Sequence, residues 1–145
     1  QIFNHLVSKK IAYKLLYPEA YRLRSKLMII SSLDNVNIIG SFSSISTLLE
    51  QSSVLISPFT APHFSRPVIE AFAYGKPVIV SDVVGMDELV DNNINGIIIE
   101  NGNAFALADA INSLVNTSEL LYKMGAKGRK KSISRYSPQI NIFKI

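Results

Sequence analysis

The loop between a predicted buried strand and a predicted helix has the features of an anion-binding site. It follows the apolar run that ends at Ser57, and Pro67 marks the start of the helix. The first backbone N–H groups of a helix have no acceptor inside the helix, and the helix dipole places about half a positive charge at that end. We therefore expect a diphosphate to bind at Phe64, Ser65 and Arg66.

Glu70 lies about one turn inside the same predicted helix, on the face that it shares with Pro67 and Tyr74. A carboxylate only accepts hydrogen bonds, so beside an anion site it suits the hydroxyl groups of a sugar. The alternative role is a favourable charge near the helix N-terminus, which contributes about 0.3 to 1 kcal/mol. A reciprocal capping box fits poorly, because Glu70 at the third helical position would pair with Pro67, which has no side-chain acceptor. The residues alone leave both roles open.

The elements that must position these residues alternate between strands and helices. Apolar residues at helical spacing predict helices over residues 6–16, 20–33, 45–51, 67–74, 87–90, 104–115 and 119–134. Short apolar runs predict strands over residues 36–39, 54–57, 77–81 and 96–99. Connections this short require parallel strands with right-handed crossovers, so the pattern predicts a doubly wound parallel α/β sheet. Ligands of such sheets bind at the carboxyl ends of the strands.

The composition is that of a globular domain. The chain has 145 residues, 48% hydrophobic and 18% charged, which predicts one domain over residues 1–145 with a buried core. It has no cysteine, which excludes disulfide frameworks, thiolate zinc sites and cysteine nucleophiles. A reducing compartment is permitted, and we expect a cytoplasmic protein. The longest apolar runs are much shorter than the roughly 20 residues of a membrane-spanning helix.

Basic residues outnumber acidic ones and gather near both ends of the chain. The 15 Lys and Arg residues and the 11 Asp and Glu residues give a formal net charge of +4. The two clusters are Lys9, Lys10 and Lys14, and then Lys127, Arg129, Lys130 and Lys131. Such clusters are usually solvated helix faces; the alternative is peripheral contact with an anionic membrane, worth about 1 kcal/mol per basic residue. No nucleic-acid partner is expected, because the clusters lack interleaved aromatic residues.

Two further classes of site are disfavoured by missing motifs. The sequence contains neither an Asp-x-Asp triplet nor paired histidines at ligand spacing, so no metal site is predicted. No predicted strand-to-helix turn contains Gly-x-Gly-x-x-Gly, so a nicotinamide-binding Rossmann domain is disfavoured.

Residues 62–71 read PHFSRPVIEA and resemble the family 4 retaining glycosyltransferases, whose C-terminal domain has the motif EGFGLPxxEA. Phe64, Pro67, Glu70 and Ala71 coincide with this motif, whereas Pro62 stands in place of its first glutamate. The segments AYGKPVIVSD (73–82) and VGMDELV (84–90) are similar to the family's next strand and its Gly-x-x-Glu turn. The segment NVNIIGSF (35–42) is similar to the strand and loop that hold the nucleotide base.

The resemblance, which covers roughly residues 33–116, implies a fold and a reaction. The fold is the Rossmann-like C-terminal domain of a GT-B glycosyltransferase. The reaction transfers a sugar of the hexosyl class from a nucleotide-diphosphate sugar to an acceptor with retention of anomeric configuration. The resemblance also implies that no cofactor and no obligatory metal take part, the nucleotide sugar being a substrate. Such enzymes act in polysaccharide or glycolipid biosynthesis.

The resemblance also assigns roles to residues. Glu70 would hold the ribose hydroxyls, and the amides from Phe64 to Arg66 the diphosphate. The base would lie near Gly40, Ser41 and Phe42.

Several of these side chains keep two interpretations. Phe42 is predicted equally as a core residue. His63 is predicted either as a backbone-bonded surface residue or as a sugar contact, and Arg66 either as a phosphate contact or as a surface salt bridge. Glu88 is predicted to accept hydrogen bonds from nearby backbone amides in preference to contacting the donor.

In the family, two further strands and an N-terminal acceptor-binding domain come earlier in the chain. This sequence begins with Gln1, so we expect it to be an N-terminally truncated part of a longer enzyme, inactive by itself. The glycan or lipid-linked acceptor would bind through the missing domain, in the cytoplasm or at the inner face of the membrane. The alternative is a non-catalytic nucleotide-sugar-binding or structural remnant, because the first glutamate is missing.

Overall fold

Parallel strands alternate with helices in the computed structural model, which describes residues 13–16, 36–39 and 44–137. In these ranges five strands are present: β1 (Tyr13–Leu16), β2 (Val36–Ile39), β3 (Leu55–Ser57), β4 (Val78–Ser81) and β5 (Gly96–Ile99). The same ranges contain five helices: α1 (Ile45–Glu50), α2 (Arg66–Ala73), α3 (Met86–Leu89), α4 (Ala104–Val115) and α5 (Ser118–Tyr136). The chain divides into two units, residues 1–45 and 46–145.

In the first unit, β1 and β2 form a parallel pair, in which Tyr13 lies opposite Val36 and Leu16 opposite Ile39. Strand β2 has the predicted bounds. The helix predicted over residues 6–16 is wrong at its last four residues, which are β1. The run YKLL is too short for its apolar period to separate helix from strand, and pairing with β2 decides between them. The rest of that helix and the helix predicted over 20–33 lie outside the described residues.

In the second unit, β3, β4 and β5 form a parallel sheet with β4 in the middle. Val78, Ile79 and Val80 are fully buried and Ser81 is 2% exposed, because the sheet has no solvent face at its central strand. Helices separate the consecutive strands, as parallel pairing requires. These features confirm the predicted Rossmann-like α/β fold.

Helices α2 and α5 pack closely against each other. A Cβ atom at Gly125 of α5 would collide with the backbone carbonyl of Gly75, and one at Gly128 would collide with the ring of Phe72. Phe72 belongs to α2 and is fully buried. Glycine inside a helix costs about 1 kcal/mol relative to alanine, so these two glycines are explained by the close helix contact and not by helix propensity.

The other predicted elements are present with small differences in their bounds. Strand β5 and helix α4 begin and end as predicted, and α4 is capped by Asn103, whose Oδ1 accepts the Ala106 N–H at 2.9 Å. Helix α3 begins one residue early and α5 extends to Tyr136. Within the described ranges, the helices are all too short or too polar to cross a membrane.

Candidate functional site

The loop between β3 and α2, residues 58–65, is hydrogen-bonded to both neighbouring loops at the carboxyl ends of the strands. His63 donates its backbone N–H to the Val84 carbonyl at 3.0 Å, in the loop after β4. Asn101, in the loop after β5, donates its Nδ2 to the Thr60 carbonyl at 3.3 Å. The loop that the sequence singled out is therefore held in place at the edge where parallel α/β sheets bind ligands.

Ser65 closes the base of this loop. It is fully buried, and its Oγ lies 3.4 Å from the Oγ of Ser57 at the end of β3. Ser65 is also the N-cap residue of α2, with extended backbone angles (φ −91°, ψ 103°), but its side chain makes no capping hydrogen bond. The hydroxyl therefore joins loop and strand and leaves the start of α2 uncapped.

Three consecutive backbone N–H groups lie at this uncapped helix start. Over residues 44–137, the amides of Phe64, Ser65 and Arg66 have no hydrogen-bond acceptor, and the next residue, Pro67, has no N–H. The amide of Ser65 is buried, and a buried N–H without an acceptor costs roughly 1 to 3 kcal/mol. A bound anion would supply the acceptor, and the diphosphate position at these amides stays a prediction.

Glu70 is the fifth residue of α2, because the helix begins at Arg66, one residue before its predicted start. Its side chain is 28% exposed, and its Oε1 accepts a hydrogen bond from the Arg66 Nε at 3.0 Å. The Arg66 side chain is 88% exposed. Of the two interpretations of Arg66, the structure contains the surface salt bridge. An exposed pair of this kind contributes roughly 0.2 to 0.5 kcal/mol, so a ligand could separate it at little cost.

His63 stacks on a second aromatic residue that the sequence analysis missed. The rings of His63 and Phe59 are 3.7 Å apart at an angle of 25°. Phe59 is 40% exposed and Phe64 is 52% exposed, so aromatic surface flanks the start of α2. The main-chain N–H of His63 is bonded to Val84, and the role of its side chain as a sugar contact stays a prediction. The position of Phe59 between strand β3 and the PHF segment was the available signal in the sequence.

Gly85 supports the loop from the β4 side. Its φ angle is 98°, and a Cβ atom there would lie 2.8 Å from the His63 carbonyl oxygen. Its N–H donates to Asp87 Oδ1 at 3.2 Å. The prediction gave Glu88 the role of accepting nearby amides; in the described part of the chain Asp87 has that role, and Glu88 is exposed. Asp87 is two residues from Gly85 and can fold back on it, whereas Glu88 projects from the next helical position.

Three predicted base contacts, Gly40, Ser41 and Phe42, lie outside the described residues, and their role stays a prediction. Over the described ranges, no three His, Asp or Glu side chains come together as a metal-binding group.

Comparison with known proteins gives a match over most of the chain. The family model described as "Glycosyl transferases group 1" matches residues 18–131. The capsular polysaccharide biosynthesis glycosyltransferase CapM of Staphylococcus aureus is 30% identical over 97% of this chain, which spans 38% of CapM. A glycosyltransferase of Methanocaldococcus jannaschii is 28% identical over 77% of this chain, and the match spans 32% of that protein. The chain therefore spans about a third of the curated relatives that it matches.

Solved structures give the same fold. TarM of S. aureus, in a complex that contains UDP, superposes with a TM-score of 0.81 at 27% identity, over 97% of this chain and 30% of TarM. HepE of Anabaena superposes with a TM-score of 0.84 at 22% identity, over 99% of this chain and 43% of HepE. At 22% identity, the similarity to HepE shows the fold alone.

Proposed function

Because this chain belongs to the group 1 glycosyltransferases, we propose that it supplies the half of the active site that binds a nucleotide-diphosphate sugar. The observation that carries this proposal is the row of acceptor-free amides at Phe64, Ser65 and Arg66, one helical turn from Glu70. TarM, whose complex contains UDP, supports a uridine nucleotide as the first donor to test.

In this proposal the diphosphate binds the start of α2. The three N–H groups donate to its oxygens, and the positive end of the helix dipole faces its charge. Negative charge grows on the diphosphate as the bond to the anomeric carbon breaks. Donors that are already aimed at that charge stabilise the transition state more than the ground state. The amides would thus serve both binding and sugar transfer.

Glu70 holds the ribose in the same proposal. Its carboxylate is only partly exposed, and Arg66 occupies one of its oxygens with a weak, solvent-exposed bond. Two ribose hydroxyls can donate to the carboxylate, and charge-assisted hydrogen bonds of this kind contribute about 1.5 to 3 kcal/mol each. Arg66, once released from Glu70, can turn its guanidinium toward the diphosphate.

The finer features of the reaction belong to the proposal as well. The enzyme would transfer a hexosyl group with retention and without a cofactor, to a glycan or lipid-linked acceptor that binds outside residues 1–145. It would act in the cytoplasm, with basic residues of α5 in contact with an anionic membrane.

Pro62 favours a second candidate, a protein that binds nucleotide sugars without transferring them. Pro62 is exposed and stands where the resemblance places a first glutamate, so no carboxylate meets the donor sugar at that position. Sugar transfer by the intact protein distinguishes the two candidates, since both include donor binding and only one includes turnover.

The test of donor binding is a calorimetric titration of the protein with UDP, GDP and ADP, joined to amide NMR. We expect selective binding of one nucleoside diphosphate, with the largest shifts at the amides of Phe64, Ser65 and Arg66. Equal affinity for all three, or shifts confined to other segments, would contradict the proposed site.

A further inference from the structure

A pocket of about 320 Å³ lies on the side of the β3–β4–β5 sheet where β5 begins, away from the candidate donor site. The candidate donor site follows the carboxyl ends of the strands, whereas this pocket borders the turn that leads into the amino end of β5, residues 91–95. One face of α5 forms its other wall. Its volume is at the small end of ligand sites, which span roughly 300 to 1,000 Å³.

One carboxylate, that of Asp91, lines this basic pocket, and it has two hydrogen-bond partners, Lys131 and Asn95. Asp91 Oδ1 accepts from Lys131 Nζ at 2.8 Å, and Asp91 Oδ2 accepts from Asn95 Nδ2 at 3.1 Å. Asn95 is 1% exposed, and its Oδ1 accepts the Asp91 N–H at 2.9 Å. The Lys131 side chain is only 9% exposed. The single acidic residue of the pocket, whose side chain is 47% exposed, is therefore already paired with a lysine.

Three more cations line the pocket without a counter-charge. Lys127, Lys130 and Arg135 belong to α5 and are exposed residues that line the pocket. Among the residues that the structure describes, no carboxylate lies within 4.0 Å of their charged groups. With Asp91 cancelled by Lys131, the pocket has three positive charges over a small concave surface.

The helix dipole does not explain this arrangement. It favours cations only in the last turn of a helix, which accounts for Arg135 and not for Lys127 or Lys130. Lys127 and Lys130 are three residues apart, a spacing at which like charges destabilise a helix by roughly 0.2 to 0.5 kcal/mol. A ligand of opposite charge removes this repulsion.

We propose that the basic pocket binds a phosphate-bearing anion, either a free phosphate compound or the phosphate of a lipid headgroup. Phosphate groups match a pocket lined by several cations, because each phosphate oxygen can accept a charge-assisted hydrogen bond. Ile94 lines the same pocket and is 55% exposed. An apolar side chain beside the cations suits a headgroup that brings hydrocarbon with it. The site is independent of the donor-binding proposal, since it uses other residues at the opposite sheet edge.

The first arm of the test is a titration of the full chain with inorganic pyrophosphate, followed by amide NMR. We expect shifts at residues 91–95 in addition to any at the start of α2. Lys130→Glu should weaken the pyrophosphate affinity, measured from the amide shifts of residues 91–95, about tenfold, because a charge is reversed inside the pocket. The matched control is Arg129→Glu, which makes the same change in net charge at the next residue. Arg129 is exposed and does not line the pocket, so affinity should stay within about twofold.

The second arm uses phosphatidylcholine vesicles with and without phosphatidylglycerol, in a co-sedimentation assay. Binding that needs phosphatidylglycerol, that Lys130→Glu removes and Arg129→Glu keeps, and that Ile94→Ser weakens, identifies the headgroup as the source. Binding of pyrophosphate alone identifies a free phosphate compound. Two results would overturn the proposal: no shift at residues 91–95 together with no vesicle binding, or equal losses in Lys130→Glu and Arg129→Glu.

Discussion

Glu70 is the residue on which the donor-site proposal depends most directly. As a ribose contact it should affect nucleotide affinity more than stability, and as a charge near the helix N-terminus it should affect stability alone. We expect Glu70→Gln to weaken nucleoside diphosphate binding by about 2 kcal/mol, roughly 30-fold, because it removes the charge that ribose hydroxyls meet. Stability should change little, since the Arg66 pair is a solvent-exposed surface bond. Calorimetry for affinity and thermal unfolding for stability, on the same variant, give both quantities.

Glu119→Gln is the matched control for this change. Glu119 also forms an exposed ion pair four residues along a helix, with Lys123 at 3.1 Å, but it lies on α5. Its loss should leave nucleotide affinity unchanged. If Glu70→Gln behaved like Glu119→Gln in both measurements, Glu70 would be a helix-terminus charge and the ribose role would be lost.

At the residue scale, the sequence predicted the start of α2 as an anion site because Ser57, Pro67 and Glu70 have local signals: a strand end, a helix start and a motif spacing. It could not choose between phosphate contact and ion pair for Arg66, since four-residue spacing on a helix permits the pair without requiring it. It also missed the stacking of Phe59 on His63, because a loop has no fixed period from which ring contacts can be read.

Gly85, in the loop after β4, lies against the loop of residues 58–65. Replacing it tests two effects, backbone strain at Gly85 and displacement of that loop. We expect Gly85→Ala to lower stability by about 1 to 3 kcal/mol, because φ is +98°. It should also weaken nucleotide binding, because the new methyl group would press on the His63 carbonyl. Thermal unfolding and calorimetry again give the two values.

Gly102→Ala provides the comparison for Gly85→Ala. Its φ is +76°, but nothing lies within 4 Å of the new methyl group. It should lower stability through backbone strain and leave nucleotide affinity intact. Equal losses of affinity in both variants would show that Gly85 does not act through its contact with residues 58–65.

The contact between α2 and α5 gives a second prediction at the scale of elements. Helix propensity alone would make Gly125→Ala stabilising by about 1 kcal/mol. We expect the opposite, a loss of about 1 to 3 kcal/mol, because the methyl group would collide with the Gly75 backbone, which cannot move as a flexible side chain can. Urea unfolding measures the change. Arg129→Ala, at an exposed position of the same helix, should stay within about 0.5 kcal/mol of the parent, and a stabilised Gly125→Ala would contradict the packing argument.

Most elements of the second unit were predictable because their apolar runs end at strong turn signals. Strand β4 is a continuous apolar run that Gly75 and Pro77 separate from α2, and α4 has a clear amphipathic period. Strand β1 was not predictable, because its partner is more than 20 residues away and four residues contain no decisive period. The Gly125 contact was hidden for the same reason: it joins residues that are distant along the chain.

At the scale of the whole molecule, the two candidate sites lie at opposite ends of the strands of one sheet. The candidate donor site lies at the carboxyl edge, and the basic pocket lies at the amino edge of β5. A ligand at one edge leaves the other edge open, so both can be occupied together. A lipid headgroup in the basic pocket would hold this unit at a membrane surface while the donor binds at the opposite side. A free phosphate compound would be bound to the unit at the same time as the donor.

The last prediction concerns what residues 1–145 can do by themselves. The chain spans 38% of CapM, and the acceptor in our proposal binds outside it, so the isolated chain should bind its nucleoside diphosphate without transferring sugar. Binding needs the amides, Glu70 and the predicted base contacts at residues 40–42, all of which belong to this chain. Transfer also needs an oriented acceptor, and orientation can supply about 7 to 11 kcal/mol of the barrier. Calorimetry with the nucleotide and a radiolabelled transfer assay, on the same preparation, test both halves. Reproducible transfer by the isolated chain would show that its own residues also bind and orient the acceptor.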